Sequence, residues 1–365
     1  MTTSVSPADR VPSVDAPKRA RKRLIAGVIA LLCLSAWRLV IAPAPALPVA
    51  VTEVSGAAMG TTYSVKVAGV LARSEHAQVE HAVVGALAEV DAAASTYRQD
   101  SELMRFNRLA AIDTPFPLSP LLLAIVEIAL QVGKQSEGAL DVTVGPFVEA
   151  WGFGTGEQRN PSAETIAALR AKVGLQRLRF DGSALEKQHA DLALDLSAVA
   201  KGYAVDRIAS ALEALSYKNF LVEVGGELRA RGMRADGKPW QVGIEKPVSD
   251  ARTVERVVAL QNMGMATSGD YRNFYEVDGE RRSHLIDPQT GRPVEHALAS
   301  VTVMHPQAAR ADAWATALAV LGPTAGPKVA EREGLAAFFV VREGPVAFRT
   351  IESPAFARAA SGDSP

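Results

Sequence analysis

Ala311-Asp312-Ala313-Trp314-Ala315-Thr316-Ala317-Leu318 sets a carboxylate and a hydroxyl four residues apart in an otherwise apolar run. At the α-helical rotation of about 100° per residue, Thr316 stands about 40° from Asp312, whereas Trp314, Leu318 and Leu321 fall about 180–240° away. Hard oxygen donors of this kind suit Mg²⁺, which takes few protein ligands and fills its octahedron with water and phosphate oxygens. The same spacing also describes the polar solvent face of an amphipathic helix, so the pattern alone leaves both readings open.

Three further stretches concentrate polar chemistry. Asp195 to Asp206 runs from an expected strand end into a helix; its carboxylate, a turn carbonyl and Lys201 would suit a heterocycle, a metal and a phosphate, while a Ser197 cap with an exposed Lys201 explains it equally. In Ser283-His284-Leu285-Ile286-Asp287-Pro288-Gln289-Thr290-Gly291, turn chemistry accounts for Asp287, Pro288 and Gly291 but not for His284. Gly138-Ala139-Leu140-Asp141-Val142-Thr143-Val144-Gly145-Pro146 and Met59-Gly60-Thr61-Thr62-Tyr63 read as glycine-flanked strand starts where backbone can approach a ligand closely. Tyr97 has the flat ring to stack on a heterocycle, although an isolated tyrosine also serves in a core or rim.

The elements that must position these residues follow from periodicity. Tyr63, Val65 and Val67 alternate with polar residues as in a half-buried strand; Val79, Val83, Leu87 and Val90, and then Leu121, Ile125, Ile128 and Val132, recur at helical spacing. A helix over 202–215, a hairpin at Gly225-Gly226, Val-rich strands between 240 and 304, a helix over 311–321 and a strand over 336–341 complete the pattern. Strands and helices mix without a βαβ rhythm, and no glycine-rich phosphate loop opens a helix, so an α+β fold with a largely antiparallel sheet is predicted.

With 365 residues and a formal net charge of −1, the chain is large enough for a sizeable core and lacks the basic surplus of a nucleic-acid binder. Its basic character is local: Lys18, Arg19, Arg21, Lys22 and Arg23 precede the apolar run from Leu24, the order of an export signal or membrane anchor. Ala44-Pro45-Ala46 offers a cleavage site, and the run to Ile41 is long enough to span a bilayer if Arg38 snorkels. Residues 1–46 are therefore expected to be signal or anchor with linker, 47–355 the main folded domain on the periplasmic or extracellular side of the membrane, and 356–365 a loose tail. The only cysteine, Cys33, lies in the apolar run, so no disulfide or cysteine metal site is expected beyond it.

Taken in order, Met59 to Tyr63, Ser95-Thr96-Tyr97, Gly138 to Pro146, Asp195 to Asp206, Val222 to Glu227, Thr267 to Asn273, His284 to Gly291 and Ala311 to Leu318 resemble the ApbE family of flavin transferases. The resemblance implies a T-fold-like α+β enzyme that uses FAD and Mg²⁺ and attaches FMN to a Thr or Ser of a client flavoprotein, such as a redox-pump subunit. It places FAD contacts at Met59, Tyr97, Ala139, Leu140, Asp141, Asp195, Lys201 and Ile286. Metal contacts fall at the Ala198 carbonyl, Asp312 and Thr316, and a base at His284. Some relatives carry an acid where this chain has Ala315, so a second carboxylate ligand is missing. An FAD pyrophosphatase yielding FMN and AMP, and a non-catalytic flavin-binding protein, are the competing expectations.

Overall fold

The computed structural model describes residues 50–154, 159–248, 253–270, 274–277, 280–344 and 347–361. The basic cluster and apolar run lie outside them, as do Tyr271, Arg272 and Asn273 of the Thr267 to Asn273 motif. Among the described residues no helix is long and apolar enough to cross a membrane.

Eight strands build the main sheet: β1 (Val51–Ala58), β2 (Thr61–Ala68), β3 (Phe220–Val224), β4 (Glu227–Arg231), β5 (Met263–Gly269), β6 (Leu298–His305), β7 (Ala336–Arg342) and β8 (Phe348–Glu352). Their order across the sheet follows their order along the chain, and every neighbouring pair is antiparallel. The alternation in β2 is met, with Tyr63, Val65 and Val67 buried. Adjacent residues such as Met265 and Ala266 point to opposite faces and enter different cores.

Long crossovers carry helices onto one face: α1 (Arg73–Ala94), α2 (Pro120–Gln135), α3 (Ser197–Ala214) and α4 (Ala308–Arg332). Val79, Val83, Leu87 and Val90 line the buried stripe of α1 as their spacing predicts. In α2 the stripe is Leu122, Ile125, Val126, Ala129 and Val132, rotated from the expected one so that Leu121 and Ile128 are only half-buried. Pro120 and the Ser119 hydroxyl, which accepts the Leu122 N–H at 3.2 Å, fix where α2 begins. On the sheet's other face Met265, Met304, Phe338 and Val340 are buried with Trp240, Ile244, Val258 and Leu260 of the hairpin formed by Trp240–Glu245 and Val254–Leu260.

Several boundaries correct the sequence reading. Leu192 to Leu196 is irregular, so Asp195 precedes α3 without a strand before it. Val142–Val144 is a turn of 3₁₀ helix leading into the short helix Gly145–Trp151, where a strand start was expected. α4 begins at Ala308 and resumes beyond a break at Gly322, a break the following Pro323 reinforces. Of the expected loose tail 356–365, residues 362–365 lie outside the described residues and the rest belongs to α5 (Pro354–Ser361), whose Phe356 is fully buried against Phe338 with ring centroids 5.2 Å apart.

Candidate active site

The crossing of α3 and α4 is set by one missing side chain. A Cβ on Gly202 would lie 2.4 Å from the Ala308 carbonyl oxygen, so any larger residue would push the helices apart. α4 has no cap of its own, since Gln307 supplies no side-chain bond; both oxygens of Asp206, on α3, accept the Ala308 and Ala309 N–H groups at 3.0 Å. Arg229 on β4 pairs with that carboxylate and holds it in place. Asp206 thus locks the start of α4 to the middle of α3, two turns of α3 beyond Ala198.

That lock brings Asp312 under α3. Its carboxylate is buried, and Oδ2 accepts the Gly202 N–H at 2.9 Å. In a regular helix that N–H points at the carbonyl four residues back, which is Ala198, so the bond to Asp312 places its carboxylate on the Ala198 turn of α3. Half-buried Thr316 follows one turn later on α4. The polar solvent face allowed by the sequence is therefore excluded: Asp312 faces a neighbouring helix, with Ala309, Ala313 and Ala315 buried around it.

Lys201 supplies the positive charge. Its Nζ lies 3.5 Å from Glu227 Oε1 and 3.4 Å from the Ser197 carbonyl. Burial alone would lower the ammonium's pKa, but the carboxylates of Asp312 and Glu227 outweigh it and hold Lys201 above its ordinary range. Burial in turn pushes both Asp312 and Glu227 upward, opposed by Lys201. Lys201 is half-buried and paired with Glu227, so it is neither the freely exposed lysine the sequence allowed nor a fully buried one.

Asp195, Ala139 to Asp141 and Met59 attach to this junction by short links. The Asp195 N–H donates to the Val142 carbonyl at 2.7 Å, and its Oδ1 accepts the Ser197 N–H at 2.8 Å, so Asp195 joins the Ala139–Asp141 segment to the start of α3. Ala139, Leu140 and Asp141 are all buried. Asp141 accepts the Thr143 N–H and hydroxyl at 2.8 and 2.6 Å and the Leu175 N–H at 3.3 Å, which braces two loops; burial raises its pKa against those bonds. Met59 takes positive φ in the β1–β2 turn, and Thr61 just after it touches the position of a Gly225 Cβ that would also meet Lys201.

His284 and Ile286 gather around the short helix Gly145–Trp151. Ile286 is buried with Phe147 and Trp151, the Trp151 indole N–H donates to the Gly291 carbonyl at 2.8 Å, and the His284 ring meets Phe153 edge-on at 6.4 Å. Tyr97 is 64% exposed on the turn after α1, its N–H donating to Ser95 Oγ, and none of the links above reaches it.

Sequence reasoning gave no role to Glu227, Asp206, Asn107 or Lys187. Glu227 carried a signal, as a carboxylate placed directly after Gly225-Gly226 at the start of a strand. Asn107 carried none: its amide clamps Leu194 through both N–H and C=O at 2.8 and 2.9 Å, and thereby fixes the approach to Asp195.

The donor set tests the expected metal. Among the described residues no cluster of three or more His, Cys, Asp and Glu side chains is arranged to hold an ion. In kind, the Asp312 carboxylate, the Thr316 hydroxyl and the Ala198 carbonyl are donors that suit a hard cation drawing its other ligands from water and phosphate.

The ApbE family model matches residues 59–339. The chain is 44% identical over 320 residues to the FAD:protein FMN transferase of Escherichia coli K12, covering 86% of this chain and 90% of that one. Among solved structures, the flavin transferase ApbE from Vibrio cholerae superposes with a TM-score of 0.78 at 39% identity, over 86% of this chain and all (100%) of that one. The apo flavinyl transferase ApbE of Pseudomonas stutzeri gives 0.77 at 42% identity, over 88% and 99%.

Proposed function

The chain belongs to the ApbE family of flavin transferases, and on that premise we propose that it moves FMN from FAD onto a Thr or Ser hydroxyl of a client flavoprotein and releases AMP, with Mg²⁺ as the required ion. The observation that best supports this reading is the α3–α4 junction. Buried Asp312 accepts the Gly202 N–H and interacts electrostatically with Lys201, the residue before that glycine.

In the proposed reaction the client hydroxyl oxygen bonds to the FMN-side phosphorus of FAD as the bond from that phosphorus to the AMP phosphate breaks. Phosphoryl chemistry of this kind depends on placement and charge neutralisation more than on covalent help. When bound by Asp312, Thr316 and the Ala198 carbonyl, Mg²⁺ supplies positive charge to the diphosphate. Lys201 adds a second positive charge. His284 accepts the hydroxyl proton, a general-base role that imidazole commonly fills. Ala139 to Asp141 and Asp195 offer backbone and carboxylate contacts to the flavin nucleotide, and Ile286 an apolar wall.

We place the catalytic unit on the periplasmic side of the inner membrane, from the basic cluster and apolar run at the N-terminus. A C-terminal reporter active only in the cytoplasm would contradict that placement. For the reaction, the purified protein is incubated with FAD, Mg²⁺ and a candidate client, and in-gel flavin fluorescence is read beside AMP. Fluorescent client with equimolar AMP is expected. AMP without labelled client would favour the pyrophosphatase, and neither product would leave a flavin-binding protein.

A further inference from the structure

Glu227 opens β4 directly after the Gly225-Gly226 turn and lies opposite Val224 of β3. It is only 4% exposed, and its Oε2 has no hydrogen-bond partner among the described residues. Oε1 faces Lys201 Nζ at 3.5 Å. A buried carboxylate next to a site for an anionic diphosphate opposes substrate binding, so its contribution must lie in something other than affinity.

The hairpin holds the rest of Lys201 as well. Gly225 has φ of 61°, and a Cβ there would lie 2.9 Å from Thr61 Cγ2 and 3.2 Å from Lys201 Cδ, so the turn backbone rests against the lysine stem. The head is held between Glu227 Oε1 and the Ser197 carbonyl at 3.4 Å. Lysine has large rotamer freedom on its four-carbon stem, and an ammonium neutralises phosphate charge only from where it is held.

We propose that Glu227 is a positioning residue: together with the Gly225-Gly226 turn it fixes Lys201 in the one conformation that meets the transferring diphosphate. The inference rests on the reading of Lys201 as a contact to FAD. It assigns Glu227 an effect on turnover exerted entirely through Lys201.

A double-mutant cycle over Glu227→Gln and Lys201→Ala tests it, with kcat, KM for FAD, FAD affinity by calorimetry and Tm measured for each protein. Glu227→Gln is expected to lower kcat about 10- to 100-fold, the range usual for residues that orient a functional group, with FAD affinity held or tightened. In the Lys201→Ala background the same change is expected to lower kcat by less than about 3-fold, because the group it acts through is gone. Glu227→Asp, which keeps the charge on a shorter stem, is expected to fall between parent and Gln, and it runs the same cycle if Glu227→Gln does not fold. Parent-level kcat in Glu227→Gln, or an undiminished loss in the Lys201→Ala background, overturns the positioning role while leaving Lys201 as an FAD contact. Parent-level activity and FAD affinity in Lys201→Ala overturn both.

Discussion

The protein holds one lysine half-buried and another fully buried and treats them oppositely. Lys201 sits between Glu227 and Asp312, which raise its pKa; Lys187 is fully buried with only carbonyl partners, Asn107 and Ala190 at 2.9 and 3.2 Å, and the Phe106 ring at 5.2 Å from Nζ. Burial lowers Lys187 to about 8, with Asp191 opposing from a distance. The difference separates a charge kept for use from a charge tolerated for shape. A compensated ammonium stays cationic and can neutralise phosphate, whereas an uncompensated one is a donor that ties two loop carbonyls together and is easily discharged.

The sharpest way to break the comparison is to remove charge at the compensated site without removing atoms. Asp312→Asn keeps an oxygen to accept the Gly202 N–H but no anionic ligand, so activity is expected to fall by about 10²–10³-fold. Tm should move by only a few degrees, roughly what about 1 kcal/mol produces in a domain of this size. Mg²⁺ titration with and without FAD checks the cause. If the Asp312→Asn protein binds Mg²⁺ as the parent does, Asp312 is a structural acceptor and the junction is not a metal site.

Next in size is the pair Lys201→Met and Lys187→Met. The first strips the positive charge from between two buried carboxylates and is expected to cost about 3 kcal/mol of stability in addition to most of the activity. The second replaces a buried ammonium by an apolar side chain of similar volume, so kcat should stay within about 3-fold of parent, in line with a volume-conserving change. Equal activity losses in steady-state assays would erase the distinction between the two lysines.

A third change tests the packing that makes the junction. Gly202→Ala forces a Cβ to within 2.4 Å of the Ala308 carbonyl, and backbone cannot yield as a flexible side chain can. Overpacking of this kind costs about 1–3 kcal/mol, and Mg²⁺ affinity should fall with it because Asp312 and the Ala198 carbonyl lie on opposite sides of the same contact. Chemical denaturation and metal titration on one preparation measure both. A destabilised variant with parent Mg²⁺ affinity would uncouple the crossing from the site.

How much of this was legible follows the same division. The i, i+4 spacing of Asp312 and Thr316 put both on one face, and alternation placed Tyr63, Val65 and Val67 inside, because those patterns are local. Whether the Asp312 face met solvent or protein depended on α3 lying across it, which Gly202 and Asp206 decide from about a hundred residues away. The strand expected before Asp195 failed for a related reason: the Asn107 amide bonds Leu194 on both its N–H and C=O, and the Asp195 N–H bonds the Val142 carbonyl, in place of a partner strand. The tail from 356 looked loose because Ala-rich sequence carries little periodicity; up to Ser361 it is held by Phe356 docked on Phe338, by Ala355, Ala359 and Ala360 on the same core, and by Ser353 Oγ accepting the Phe356 N–H. Lys187 was invisible, since a lysine in Leu185-Glu186-Lys187-Gln188 reads as surface.

Lys187 also gives the smallest and most specific expectation, a pH dependence of opposite sign to that of a salt-bridged lysine. Its value in the folded protein, about 8, lies below the ordinary 10.5 that applies when the chain is unfolded. Between those two pH values the unfolded chain holds a proton that the folded one lacks, so stability rises as pH climbs through that interval. Below pH 8 both states are protonated and the full cost of burying the ammonium is present; above 10.5 both are neutral and the cost is gone. The shift of about 2.5 corresponds to at most about 3 kcal/mol. A lysine held by carboxylates, as Lys201 is, loses stabilisation with rising pH instead, and only above 10.5. Other groups titrate over the same interval, so the quantity to measure is the difference between parent and Lys187→Met in urea-unfolding free energy at pH 7.5, 9 and 10.5. Lys187→Met is expected to be the more stable protein relative to parent at pH 7.5 and to lose that advantage by pH 10.5. A difference that stays constant with pH would mean that Lys187 remains charged throughout, and the two lysines would then differ in their partners but not in their protonation.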